Sequence, residues 1–180
     1  MRIGTLLKHA LMRPFLICLI SCFLFEHCIL AQAPSTTTYP KATGYISVVH
    51  SIVTLDKNGS SFNFADAYTV GFPFGVNILK SDRIGYSMEV TPFIKSTPGL
   101  TRTSNVLFHP GIIFRYPHAF NLVTRLAFET SGRFGGTVVF NKVFYRTAMN
   151  SYWFSVPLPL RFGNGAPASI GIGIQLGITF

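Results

Sequence analysis

Beyond position 28 the sequence contains no cysteine; its three, Cys18, Cys22 and Cys28, all sit near the N-terminus. That excludes a disulfide framework and any cysteine-based metal site from everything that follows. Charge is also scarce. Charged residues make up 12% of the chain, against about 25% in an average soluble domain. No uninterrupted apolar stretch approaches the roughly 20 residues that a membrane-crossing helix needs. His-Glu-x-x-His spacing, a paired-aspartate site and a phosphate loop among the 16 glycines are all missing, so neither a metal nor a cofactor is expected.

Catalytic residues are equally hard to place. Acyl transfer wants a hydroxyl beside a histidine that a third group orients. His50 adjoins Ser51, but neighbours on a strand face opposite ways. His109 is followed by Pro110, and His118 falls in a predicted turn. No catalytic residue is therefore assigned and a non-enzymatic protein is expected.

What is present begins with an N-terminal leader. Arg2, Lys8 and Arg13 precede an apolar run from Phe15 to Phe25, followed by Ala31-Gln32-Ala33. A basic flank, a short apolar core and a small-residue site make a cleavable secretory signal peptide over residues 1–31. Leu19-Ile20-Ser21-Cys22 has the look of a lipobox, but the apolar Phe23-Leu24-Phe25 after it speaks against lipidation. Residues 32–43 read as a flexible lead-in. Removing the leader leaves 12 Lys plus Arg against 5 Asp plus Glu. These cations are dispersed rather than gathered on one face, so a nucleic-acid partner is not expected.

From Ser169 to Phe180 every even position is Ile, Leu or Phe and every odd one Gly, Ser, Gln or Thr. In a strand that puts the apolar set on one face and the small polar set on the other. The apolar face of this last strand is Ile170, Ile172, Ile174, Leu176, Ile178 and Phe180, so a charge at Leu176 is expected to cost more than one at Gln175. Turn signals divide the chain into eight such runs: 44–55, 67–80, 84–95, 105–116, 120–130, 134–146, 151–162 and 169–180. The first and sixth alternate poorly, as strands with bulges do. The connections predict tight turns at 81–83, 117–119 and 147–150 at one end. At the other lie long polar loops over 56–66 and 96–104 and short ones near 131–133 and 163–167. Pro73, Pro92, Pro110, Pro157 and Pro159 fall inside predicted strands, where proline removes a ladder donor. They are expected at bulges or strand ends.

The terminal aromatic strand, the signal peptide and the even strand count together resemble the small eight-stranded bacterial outer-membrane β-barrels of the OmpA/OmpX general type. The resemblance covers about 44–180 and implies an all-β, antiparallel up-and-down transmembrane barrel. It implies a structural or surface-interaction role in the outer membrane. The partners it implies are outer-membrane lipids and the barrel-assembly machinery, which reads the C-terminal strand ending in Phe180. No site motif of that group matches, so no functional residue is carried over. On the strand parity, Glu89, Arg115, Arg125, Glu129 and Arg161 point into the lumen of an eight-stranded barrel, where side chains fill the interior. They are expected to form one polar plug. A narrow passive channel, and an exported soluble barrel or sandwich with a hydrophobic ligand, are the alternatives.

Overall fold

The computed structural model describes residues 38–65 and 67–180. The expected signal peptide, the three cysteines, residues 32–37 of the lead-in and Asp66 lie outside the described residues. Ten strands form a single antiparallel sheet: β1 (Lys41–Asp56), β2 (Gly59–Phe62), β3 (Tyr68–Gly71), β4 (Phe74–Leu79), β5 (Ile84–Thr97), β6 (Leu100–Tyr116), β7 (Phe120–Glu129), β8 (Phe134–Arg146), β9 (Ser151–Phe162) and β10 (Ser169–Thr179). From β5 to β10 each strand pairs with the next, β3 and β4 both pair with β1 and β5, β2 pairs with β1, and β10 returns to pair with β1. β3 and β4 are two halves of one stave, so the hydrogen-bonded ring has eight members. It closes from Tyr45 opposite Thr179 to Asp56 opposite Ser169.

Within this ring, odd-numbered residues face inward along nearly every strand and even-numbered ones outward. The burial pattern of β7, iiiBiBeBei, shows it: Val123, Arg125 and Ala127 are buried while Leu126 and Phe128 are exposed. The two strands that alternated poorly in sequence both carry the bulges that this implied. β1 slips register between Ser51 and Val53, and β8 between Val143 and Tyr145. Beyond Ile52 the parity of β1 reverses, putting Thr54 opposite the inward Gly171 and Leu55 opposite the outward Ile170.

Four sequence expectations are corrected. The first strand starts at Lys41 rather than at residue 44, so part of the expected lead-in is ladder. The second run, 67–80, is broken at Phe72-Pro73. The supposed loop 96–104 is mostly strand: β5 and β6 run on as hairpin arms to a tight turn at Pro98-Gly99, Gly99 taking φ +81°. The loop 56–66 contains β2, which pairs only with the far end of β1. Both extensions are mostly Ser, Thr and other polar residues, with Phe62, Phe64 and Leu100 too few to make an alternating apolar face, so periodicity was silent there. Asn63 then stitches β2 toward β3, its side-chain amide donating to Thr69 O (2.7 Å) and accepting from Thr69 N (2.8 Å).

The prolines fit the ring by a common device. Pro157 and Pro159 keep their pairing with β8, while the β9–β10 ladder lapses between Leu160–Ile170 and Ser155–Gln175. Pro110 pairs with Met88 on β5, and the β6–β7 ladder lapses between Phe108–Phe128 and Gly111–Arg125. Pro92 pairs with Val106, and the opposite side is the β3/β4 break beside Pro73. Each missing N–H thus falls on one side of its strand while the other side holds the ring together.

At the end where β1 begins and β10 finishes, the terminal end, the interior is packed by apolar side chains. Tyr45, Val143 and Trp153 form one buried cluster and Ile113, Val123 and Val139 another. The ring of Trp153 lies edge-on to Tyr45, with centroids 6.0 Å apart, and its Nε1 donates to Thr179 Oγ1 (3.0 Å). It lies across Gly177, where an added Cβ would come within 2.2 Å of Trp153 Cζ2. Gly177→Ala is therefore expected to destabilise the fold by about 1–3 kcal/mol through overpacking, read as a shifted urea midpoint. An unchanged midpoint would mean that Trp153 does not fill this end.

Candidate functional site

Above the apolar layer the inward positions become polar and pair across the lumen. Glu89 on β5 is the centre. Its Oε2 meets Arg125 Nη1 on β7 at 3.0 Å and accepts from the Tyr45 hydroxyl on β1 at 2.8 Å. Arg125 Nη2 donates to Tyr45 Oη and to Ser87 Oγ, both at 3.0 Å. The other carboxylate oxygen faces His109 Nδ1 on β6 at 3.1 Å. Glu89 is 3% exposed, His109 4% and Arg125 9%, so this is a charge pair removed from water. Buried ions hold only when paired and hydrogen-bonded, and here three further groups supplement the guanidinium. On the far side of the lumen Gln175 donates from Nε2 to Ser47 Oγ (2.9 Å) and accepts from Ser155 Oγ (3.2 Å).

A second pair lies nearer the opposite rim. Arg161 Nε donates to Glu129 Oε1 at 2.8 Å, while Asn105 and Ser131 each donate to Glu129 Oε2 at 2.8 Å. One chain links the two pairs. Arg161 Nη1 donates to Thr137 Oγ1 (3.1 Å), and Thr137 Oγ1 lies 2.9 Å from His109 Nε2. A carboxylate only accepts, so His109 Nδ1 carries the proton toward Glu89 and Nε2 takes the hydroxyl hydrogen of Thr137.

Hydroxyl, imidazole and carboxylate thus stand in the order that acyl transfer uses. The remaining requirement, a donor aimed at a developing oxyanion, is not met by Arg161. Its Nη1 is already spent on Gly136 O (2.9 Å), Leu160 O (3.0 Å) and Thr137 itself.

Of the five residues expected to form one cluster, the structure brings together Glu89 with Arg125 and Glu129 with Arg161, as two pairs. Arg115 stands apart. It reaches Tyr39 Oη (3.1 Å) and Ser81 O (3.3 Å) at the terminal end, where the Tyr39 hydroxyl also bonds Asp82. Parity placed Arg115 inward, but it could not say at which height along the axis each charge would sit. His109 was set aside in the sequence because Pro110 follows it, yet the proline's lost donor points between strands and leaves the imidazole free to turn inward. Tyr45 and Thr137 were likewise missed, having no signal beyond an odd number. Gln175, where a charge is expected to cost less than at Leu176, faces the lumen between Ser47 and Ser155 and borders the cavity described below. The other singled-out histidines lie elsewhere: His50 is on the outer face, 2.6 Å from the Tyr68 hydroxyl, and His118 is in the turn with φ +60°. In β10, Ile170, Ile172, Ile174, Leu176 and Phe180 are exposed and Ile178 is half-exposed.

The polar layer is also a floor. Between it and the end formed by the long hairpins lies a cavity of about 610 Å³, bordered by Glu89, His109, Arg125 and Gln175 below and by Lys95, Arg133 and Ser169 toward the mouth. Apolar packing and the Glu89 cluster therefore fill only the terminal half of the lumen, while the Glu129–Arg161 pair lines the open half.

No family model matches this chain, and no curated protein matches it. Two solved structures of designed proteins are similar in strand arrangement. One is the solution NMR structure of the de novo designed TMB2.3, at 8% identity and TM-score 0.47, covering 78% of this chain and 93% of the design. The other comes from the de novo design of transmembrane β-barrels, at 10% identity and TM-score 0.42, covering 84% and 98%.

The depth of the Glu89 pair gives a direct test. Glu89→Ala leaves Arg125 buried without its counter-charge and is expected to cost about 3–5 kcal/mol. Glu129→Ala, nearer the rim, is expected to cost less, because the side chains of Arg161 and Glu129 are 10% and 11% exposed against 7% and 4% for Arg125 and Glu89. Urea unfolding of both variants reads the difference; equal costs would mean that the two pairs share one environment.

Proposed function

We propose that this chain is an integral outer-membrane β-barrel protein with a structural or surface-interaction role, non-enzymatic, and closed to passive flow by its packed terminal half. The observation that carries the reading is the outer surface. Outward positions of β7, β9 and β10 carry no charge at all, and large apolar side chains stand exposed around the ring, among them Ile46, Val76, Met88, Leu126 and Leu176. Contiguous apolar surface on that scale is untenable in water for a monomer. It suits hydrocarbon.

Aromatic rows bracket this band, as girdles do in transmembrane barrels. Tyr116, Phe144, Tyr145 and Phe180 are exposed near the terminal end, and Phe128, Phe134 and Phe162 near the other. The three phenylalanines lie side by side in register across β7, β8 and β9. Lys142, outward on β8, is satisfied at the terminal rim by donating to His118 O (2.7 Å). The single histidine on the outer face of β1 is capped by Tyr68. Closure of the sheet meets the other demand of a bilayer, which offers backbone groups no partner of its own. The signal peptide and the strand ending in Phe180 fit export and delivery to the barrel-assembly machinery, with outer-membrane lipids as the surrounding partner.

Two outcomes test the reading. The protein is expected to stay with membranes through sodium carbonate washing and to migrate faster unboiled than boiled on gels; release as a soluble form would overturn it. Leu176→Arg is expected to cost about 2–4 kcal/mol in lipid vesicles if its site lies near the bilayer midplane, measured by urea titration. Planar bilayers holding the wild type are expected to show no steady conductance, and open-channel currents would favour a passive channel instead.

A further inference from the structure

The cavity above the polar floor has two unlike walls, and the difference says what fits between them. One wall is the arc of β9, β10 and β1. Pro157 and Pro159 face Gly173 and Gly171 across the lapsed ladder, with Val49 beside them. The proline Cγ atoms lie 3.3 and 3.2 Å from where side chains on those glycines would begin. The result is a smooth apolar surface. Arg161, the charged lining residue on this arc, turns away toward Glu129 and Thr137.

The other wall, on β5 to β8 and the loop at Arg133, carries the charge. Lining cations are Lys95, Arg125, Arg133 and Arg161; lining carboxylates are Glu89 and Glu129. Both carboxylates are consumed by Arg125 and Arg161. Lys95 and Arg133 have no carboxylate partner among the described residues. Arg133 is held in place at the mouth through Nη2, which donates to Pro167 O (3.0 Å) and Ser169 Oγ (2.9 Å). Its Nε is buried with no acceptor at all. Arg133, fixed at the mouth against the β9–β10 loop, and Lys95, which also lines the cavity, set two cations above the apolar arc, an arrangement that suits a molecule of matching halves.

We propose that this cavity binds a small amphipathic organic anion, a single carboxylate on a flat apolar body, with the body against the Pro157–Pro159 wall and the carboxylate at Arg133. The volume, about 610 Å³, lies within the roughly 300–1,000 Å³ of small-molecule sites. Depth also sets the orientation. A carboxylate pushed down to the floor would meet Glu89, whereas at the mouth it meets Lys95 and Arg133, which have no carboxylate partner among the described residues. The assignment stands on lumen geometry and does not need the membrane reading.

Naphthalene-2-carboxylate and its uncharged counterpart naphthalene-2-methanol are suitable probes, measured by equilibrium dialysis against the full-length protein in lipid nanodiscs, with protein-free nanodiscs as blank. The acid is expected to bind saturably at one equivalent, and the alcohol about tenfold or more weakly. Arg133→Gln is expected to weaken the acid by about tenfold, the scale of one charge-assisted hydrogen bond, and to leave the alcohol unchanged. Ser51→Phe, which fills the cavity from β1, is expected to abolish both. Each variant is checked for folding by heat-modifiable migration, and Lys95→Gln replaces Arg133→Gln should the latter not fold. Uptake no greater than the blank, equal affinity for acid and alcohol, or indifference to Ser51→Phe would overturn the proposal. Any of these in a protein that still migrates as a folded membrane species would leave the proposed function untouched.

Discussion

Everything else depends on the pairing of β1 with β10. Until Tyr45 meets Thr179 and Asp56 meets Ser169, the sheet has two open edges and no inside. Once they meet, every stave of the ring has a neighbour on both sides, and each residue's parity becomes a commitment to one of two environments. Eight staves enclose only enough room for side chains. An inward residue must therefore find a partner across the lumen, or leave a void.

The two halves of the lumen answer that demand differently. Toward the termini, volume is matched by volume: Trp153 over Gly177 and Tyr45 over Gly75, where an added Cβ would come within 2.7 Å of the tyrosine oxygen. Tyr45 then couples the packed layer to the ionic one, since its hydroxyl serves both Glu89 and Arg125. Above that floor Pro157, Pro159, Gly171, Gly173, Ser51 and Ser169 put small side chains inward on β9, β10 and β1, and the space opens. The opening is a consequence of side-chain size on three adjacent staves, while the surplus of cations is a consequence of both carboxylates being spent on internal pairs.

Proline is the feature that most invited doubt in an edgeless sheet, and its resolution is local. A strand has two hydrogen-bonding sides, and a proline forfeits a donor on one of them only. In this ring the forfeited bonds coincide with lapses in one ladder, and the neighbouring ladder stays intact through Thr137 opposite Pro159 and Met88 opposite Pro110. The lapse between β9 and β10 also lets the proline rings settle onto Gly171 and Gly173, which makes the smooth wall of the cavity.

The chain's turn signals determined the strand number around the ring, and its period-two alternation the outward set of β10 and the inward direction of Glu89, Arg125, Glu129 and Arg161. Those are one-dimensional properties, decided by which neighbour in sequence faces the same way. The polar ends of the long hairpins were illegible because strands outside the apolar band have nothing to alternate. Tertiary structure alone decided which charges meet. Height along the lumen depends on strand tilt and stagger, which put Arg115 with Tyr39 at the terminal end and brought His109 and Tyr45 to Glu89. It also decided that the lumen is half packed and half open, because a void is a sum over side chains from strands far apart in sequence, and no single strand carries that sum.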